Sequence, residues 1–174
     1  MILGGTVFRK PSGGVETLRT TDTHAGYIAT SGTVSESSTS GGYTAWKLMD
    51  KNLSGASKWL SPVGVLTGWL KYEFATTGKV KNFRFYSPTL NGGGNASARQ
   101  PRNFTIQVSS NDIDWTTVMT VTDAVRLTTN GWSEVYTIPL PVDAKYVKMD
   151  MTLNWGDTNY LSLQELELNY VEGV

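Results

Sequence analysis

Residues 103–110, NFTIQVSS, place Phe104, Ile106 and Val108 at every second position with polar residues between them. That period of two predicts a half-buried antiparallel strand. Ser110-Asn111-Asp112 then marks a turn, and WTTVMTVT (115–122) opens the next strand-like run. The same signal extends upstream. GWLKYEF (68–74) sets Leu70, Tyr72 and Phe74 against Trp69, Lys71 and Glu73. VKNFRFYS (80–87) sets Val80, Asn82, Arg84 and Tyr86 against Lys81, Phe83 and Phe85. Downstream, SEVYTIPL (133–140), KYVKMDMTL (145–153) and LSLQELELNY (161–170) continue it, with turns at 91–95 and at Asn130-Gly131. Only YTAWKLMD (43–50) carries a helix-like apolar face, one or two turns long. Many short strands separated by turns read as an all-β sandwich or jelly roll.

The 174 residues suit one domain, or one domain with an arm. Hydrophobic residues are 39% and charged residues 17%, so Ser, Thr, Asn and Gly carry much of the surface. Lys+Arg and Asp+Glu are 15 each, and this balance argues against a general nucleic-acid binder, which shows a basic excess. The chain has no cysteine, which excludes disulfides, thiolate metal sites and cysteine catalysis. No apolar run reaches the length of a membrane span. Residues 1–5 are too short for a signal-peptide core, so synthesis in the cytosol without a leader is expected. Residues 1–42, rich in Gly, Ser and Thr, read as an arm or edge-strand extension ahead of a domain at 43–174. Val7, Phe8, Tyr27 and Ile28 are its candidate anchors.

The order of the runs resembles the discoidin, or coagulation-factor type C, superfamily, which shares its fold with family 32 carbohydrate-binding modules. AWKLMDKNLSGASKWLS (45–61) supplies Ala45, Asp50, Ser57, Trp59 and Ser61 for the family's opening motif. Residues 69–74 stand where the family has Trp-Leu-x-x-Asp-Leu. Arg99-Gln100-Pro101-Arg102-Asn103-Phe104 resembles Arg-x-Pro-x-x-Phe, and 110–115 resembles Ser-x-Asp-Gly-x-x-Trp. Residues 144–148 and 163–166 match the closing strands. The departures are Lys51 after Asp50 in place of Gly, Glu73-Phe74 in place of Asp-Leu, Ile113 in place of the turn Gly, and no disulfide. The resemblance implies a discoidin-like jelly-roll β-sandwich, galactose-binding-domain-like, with an N-terminal arm. It also implies that Trp46, Trp59 and Trp69 are core, and that Trp115 packs under its turn.

The resemblance further implies a structural Ca²⁺ site in the loop after the short helix. Calcium takes six to eight oxygens, including backbone carbonyls. Asp50, Asn52, Ser57 and Glu165 are the expected metal ligands. The alternative is that Asp50 and Ser57 cap turns while Glu165 pairs with Lys47 or Lys58.

Sugar recognition needs an aromatic plane and planar hydrogen-bonding groups. NWGDTNY (154–160) offers Trp155 and Tyr160 beside Asn154 and Asp157, and the 91–100 loop ends at Arg99. A contact with a partner protein explains Trp155 equally well. His24 is the only histidine and joins the ligand-binding candidates because some relatives use a loop histidine. One histidine cannot supply a three-histidine zinc centre, and the sequence carries no G-x-S-x-G or phosphate-binding glycine motif. The reading is a non-enzymatic module that binds surface glycans through end loops. The setting expected for it is a bacteriophage virion, as a tail or capsid decoration in host attachment, or release outside the cell. The alternative is a structural assembly protein of a virus particle whose sandwich and arm bind other virion proteins. A homo-oligomer is compatible with either reading.

Overall fold

The computed structural model describes residues 18–20, 32–87 and 96–172. The strands are β1 (Leu18–Thr20), β2 (Gly32–Glu36), β3 (Trp59–Leu60), β4 (Gly68–Ser87), β5 (Pro101–Ser109) and β6 (Thr116–Val121). They continue with β7 (Gly131–Trp132), β8 (Tyr136–Thr137), β9 (Ala144–Asn154), β10 (Ser162–Leu163) and β11 (Glu165–Glu172). Two short 3-10 helices, Ala45–Met49 and Ala96–Arg99, complete the described elements. Strand order along the main path is β1-β11-β4-β9-β5-β6, with antiparallel pairing throughout. Of the segment read as an arm or edge-strand extension, β1 pairs with β11 and β2 pairs with β4. Its candidate anchors Val7, Phe8, Tyr27 and Ile28, and the turn expected at 91–95, lie outside the described residues.

The runs 68–74 and 80–87, read separately from sequence, are one 20-residue strand. Its first half lies between β2 and β9, and its second half pairs with β11, β7 and β8. Exposed Ala75, Thr76 and Thr77 mark the change from one layer to the other. Leu70, Tyr72, Phe74, Phe104, Ile106, Val147 and Met149 from one layer meet Phe83, Phe85, Leu166, Leu168 and Tyr170 from the other. The meeting is direct: Phe74 and Tyr170 have ring centroids 4.7 Å apart, and Phe83 and Phe104 6.0 Å apart. Burying each such side chain contributes about 1.5–3 kcal/mol.

The alternation expected for 80–87 slips once. Asn169 faces Asn82 but Tyr170 faces Val80, so Lys81 is the extra residue of a bulge. Val80 and Phe83 therefore both point inward, where strict alternation puts them on opposite faces. The run at 161–170 also breaks. Ser162–Leu163 pairs with β3, and after Gln164 the chain joins β4. SEVYTIPL forms only the two-residue β8 within the run.

The tryptophan expectations divide. Trp59 is fully buried, and its Nε1 donates to Ser38 O at 2.9 Å. Trp46 is 43% exposed, because its neighbours Ala45, Leu48 and Met49 take the buried side of the 3-10 helix. Trp69 is only half-buried, since Leu70, Tyr72 and Phe74 occupy the inward positions of β4. Trp115 is half-buried, with the Lys148 ammonium 4.1 Å from its ring centroid.

Candidate functional site

The loop that closes β9 is built around Asn154, which is 5% exposed. Its Nδ2 donates to Asp157 O at 2.9 Å and Tyr160 O at 3.0 Å, while its Oδ1 accepts from Gly156 N at 2.9 Å. Gly156 adopts φ +97, a conformation that costs a side-chain-bearing residue strain. Asp157 fixes the second half of the loop. Its Oδ1 accepts the N–H groups of Asn159 and Tyr160, each at 2.8 Å, and its Oδ2 accepts Arg99 Nε at 3.1 Å. Trp155 N and Asp157 N both donate to Ala98 O, tying the loop to the Ala96–Arg99 helix.

These bonds set two rings against two guanidiniums. Arg99 lies over Tyr160 at 4.8 Å and Arg102 over Trp155 at 4.8 Å. Both rings are half-buried. The Trp155 Nε1 is buried and has no partner of its own. Arg102 is held in turn by Asp123, Nε to Oδ1 at 2.6 Å. Each guanidinium keeps N–H donors beyond its ion pair, so the arrangement offers fixed donors beside apolar planes. Burial raises the Asp157 carboxyl, but the Asn159, Tyr160 and Arg99 donors outweigh it, and the group titrates below its ordinary value.

The structure thus brings Asn154, Trp155, Asp157, Tyr160 and Arg99 together. His24 lies outside the described residues. Sequence reasoning missed Arg102, and took Lys58 only as a candidate partner for Glu165. Lys58 is 9% exposed, with Nζ 5.3 Å from the Tyr43 ring centroid. Burial, then Arg99 and Lys47, lower its pKa. Its place between buried Ser57 and Trp59 gave no signal of this, because an isolated lysine reads as a solvated one.

The loop after the Ala45–Met49 helix joins the two ends of the domain. Asp50 Oδ1 accepts Asn52 N at 2.8 Å, and Asp50 Oδ2 accepts the Ser57 hydroxyl. Asn52 Oδ1 accepts Ser54 N at 3.0 Å. Glu165, 4% exposed, comes from the first position of β11. It sits beside Asp50, and its Oε1 is buried without a hydrogen-bond partner. Burial, then the Asp50 carboxyl, push Glu165 up to about 9, against smaller pulls from the Lys51 and Asn52 N–H groups. The Glu165 carboxyl pairs with neither Lys47 nor Lys58; the Lys47 ammonium instead reaches Ala56 O at 3.5 Å. Among the described residues no three His, Cys, Asp or Glu side chains form a metal cluster. Two abutting carboxylates, one with an orphaned oxygen, and the Ser57 hydroxyl still fit a hard cation whose other ligands are carbonyls.

Solved structures share this architecture. Chitosan-binding module 1 from the chitosanase/glucanase of Paenibacillus sp. IK-5 is 26% identical with TM-score 0.60, over 79% of this chain and 94% of that one. The family 32 module of C. perfringens NanJ, solved with galactose, is 20% identical with TM-score 0.62, over 79% and 93%. Chitosan-binding module 2 of the Paenibacillus enzyme, solved with chitotriose, is 22% identical with TM-score 0.56, over 79% and 95%. No curated protein matches the chain. The model of the F5/8 type C domain matches residues 32–166, from β2 to the start of β11, and the chain belongs to that family.

Proposed function

We propose that the chain is a non-catalytic recognition module that binds glycans through the 154–160 loop. One observation carries this reading: Asp157 locks Arg99 against Tyr160 while Arg102 lies over Trp155. Aromatic planes with fixed planar donors suit the apolar faces and hydroxyls of a pyranose. Because the donors are already held, little ordering opposes binding. The relatives described as chitosan-binding or galactose-bound support the ligand class. In this reading Asp50, Ser57 and Glu165, with loop carbonyls, hold a structural Ca²⁺ that fastens β11 to the 50–58 loop. Asn52 joins them through its carbonyl, since its side chain caps Ser54. A place on a bacteriophage particle is a further proposal, supported only by the small polar composition of residues 1–42.

The test is a glycan array with the purified chain and its Trp155→Ala variant, each with calcium and with chelator. The expected result is a hit that weakens at least tenfold in the variant. A folded protein that binds nothing, or that binds equally well without Trp155, overturns the assignment.

A further inference from the structure

A cleft lies on the outer face of the β4–β9–β5 layer, away from the 154–160 loop. Outward positions of these strands alternate with the core positions, and the register places Lys71 directly opposite Lys148. Like charges facing each other across a sheet are destabilising. Here each ammonium has its own relief. Lys71 Nζ meets Asp112 Oδ2 at 2.6 Å, and Lys148 Nζ lies 4.1 Å from the Trp115 ring centroid. Lys148 has no carboxylate partner among the described residues. Lys148 therefore stands without an ion-pair partner on a cleft of about 270 Å³ lined by Trp69, Lys71, Asp112, Trp115 and Lys148, and Asp150, the next outward residue of β9, lies opposite Trp69 at its edge.

The turn that delivers Asp112 and Trp115 is fixed in advance. Ser109 Oγ accepts the N–H groups of Asn111 and Asp112, and Asn111 Oδ1 accepts those of Ile113 and Asp114. Asn111 Nδ2 also donates to Asp114 Oδ2 at 2.8 Å. Asp112 takes φ +63 within this turn. The volume is close to the lower bound of ligand sites, ~300 Å³, which suits one sugar ring rather than a chain.

We infer that this cleft is a second ligand site, for an acidic saccharide residue whose carboxylate or sulfate meets Lys148 while its ring lies along Trp115 or Trp69. Two indoles supply the apolar walls, the Lys148 ammonium supplies the anion contact, and Asp112 accepts from hydroxyls. The site lies on the sheet face and uses none of the residues of the 154–160 loop, so it stands or falls separately from that loop.

Calorimetric titration of the full chain with tetragalacturonate, with tetramannuronate and with a heparin tetrasaccharide tests it, beside neutral cellotetraose. At least one acidic probe is expected to bind, more weakly as salt rises. Lys148→Gln is expected to weaken it at least tenfold and Lys148→Arg to retain most of it. Trp155→Ala is expected to leave it unchanged. No binding of any acidic probe overturns the inference. So does acidic binding that Lys148→Gln leaves intact or that Trp155→Ala abolishes. Polyglutamate competing as strongly as the saccharide overturns the ligand class, and marks the face as one for acidic protein.

Discussion

The Glu165 carboxyl, 4% exposed, is held beside the carboxyl of Asp50 at the joint between β11 and the 50–58 loop. Without a cation, burial and the adjoining carboxyl disfavour the charged form of Glu165. Burial and Asp50 push Glu165 from its ordinary 4.5 to about 9. The folded state thus keeps a proton that the unfolded chain releases above 4.5. The stabilisation from that proton is complete below pH 4.5 and is lost progressively as pH rises to about 9. Thermal melting of chelator-treated protein across this window is expected to show Tm falling with rising pH.

Calcium is expected to remove that slope, because two positive charges replace the proton. At pH 8 added Ca²⁺ raises Tm and releases up to one proton per chain, read by calorimetry in buffers of different ionisation enthalpy. Glu165→Gln keeps the size of the side chain and can donate to Asp50. The variant is expected to lose the fall in Tm assigned to Glu165 between pH 5 and 9 and to ignore calcium. A calcium response that survives in Glu165→Gln would remove Glu165 from the ligand set.

Lys51 occupies the position where the discoidin pattern has glycine, and it adopts φ +58. A left-handed conformation costs an L-residue about 1–2 kcal/mol, part of which glycine gives back through its freer unfolded chain. Lys51→Gly is therefore expected to stabilise the protein by about 0.5–1 kcal/mol, measured by urea unfolding at constant m-value.

Lys51 also shows how the sequence could be read. Asp50, the short helix before it, Trp59 and the alternation of 103–108 were legible because a local pattern and the burial it produces agree. Trp46 and Trp69 were misjudged for the opposite reason. Each occupies a family position, but its neighbours at the adjoining inward positions had already filled the core. The bulge at Lys81 was hidden too. One extra residue leaves composition unchanged while reversing the faces that follow it.

The 154–160 loop was legible as residue types and not as geometry. Nothing in its spacing revealed that Arg99 and Arg102, far earlier in the chain, would each cover one of its rings, because that pairing depends on β5 lying beside β9.

Asp157 carries that pairing and gives the last prediction. Its carboxylate, 8% exposed, accepts two backbone N–H groups and the Arg99 Nε. Asp157→Ala leaves those donors and the guanidinium, 17% exposed, without their acceptor. The expected loss is about 1–3 kcal/mol of stability, larger than for an exposed ion pair because two backbone N–H groups and a half-buried guanidinium lose their acceptor together. Asp157→Asn keeps an acceptor for the backbone but not the charge for Arg99, so it is expected to lose less stability. Glycan affinity is expected to fall in both variants, since each frees Arg99 from Tyr160. Urea unfolding and array binding of the two variants separate these effects. If Asp157→Asn binds glycan as the parent does, the charge on Asp157 has no part in setting Arg99 for the ligand.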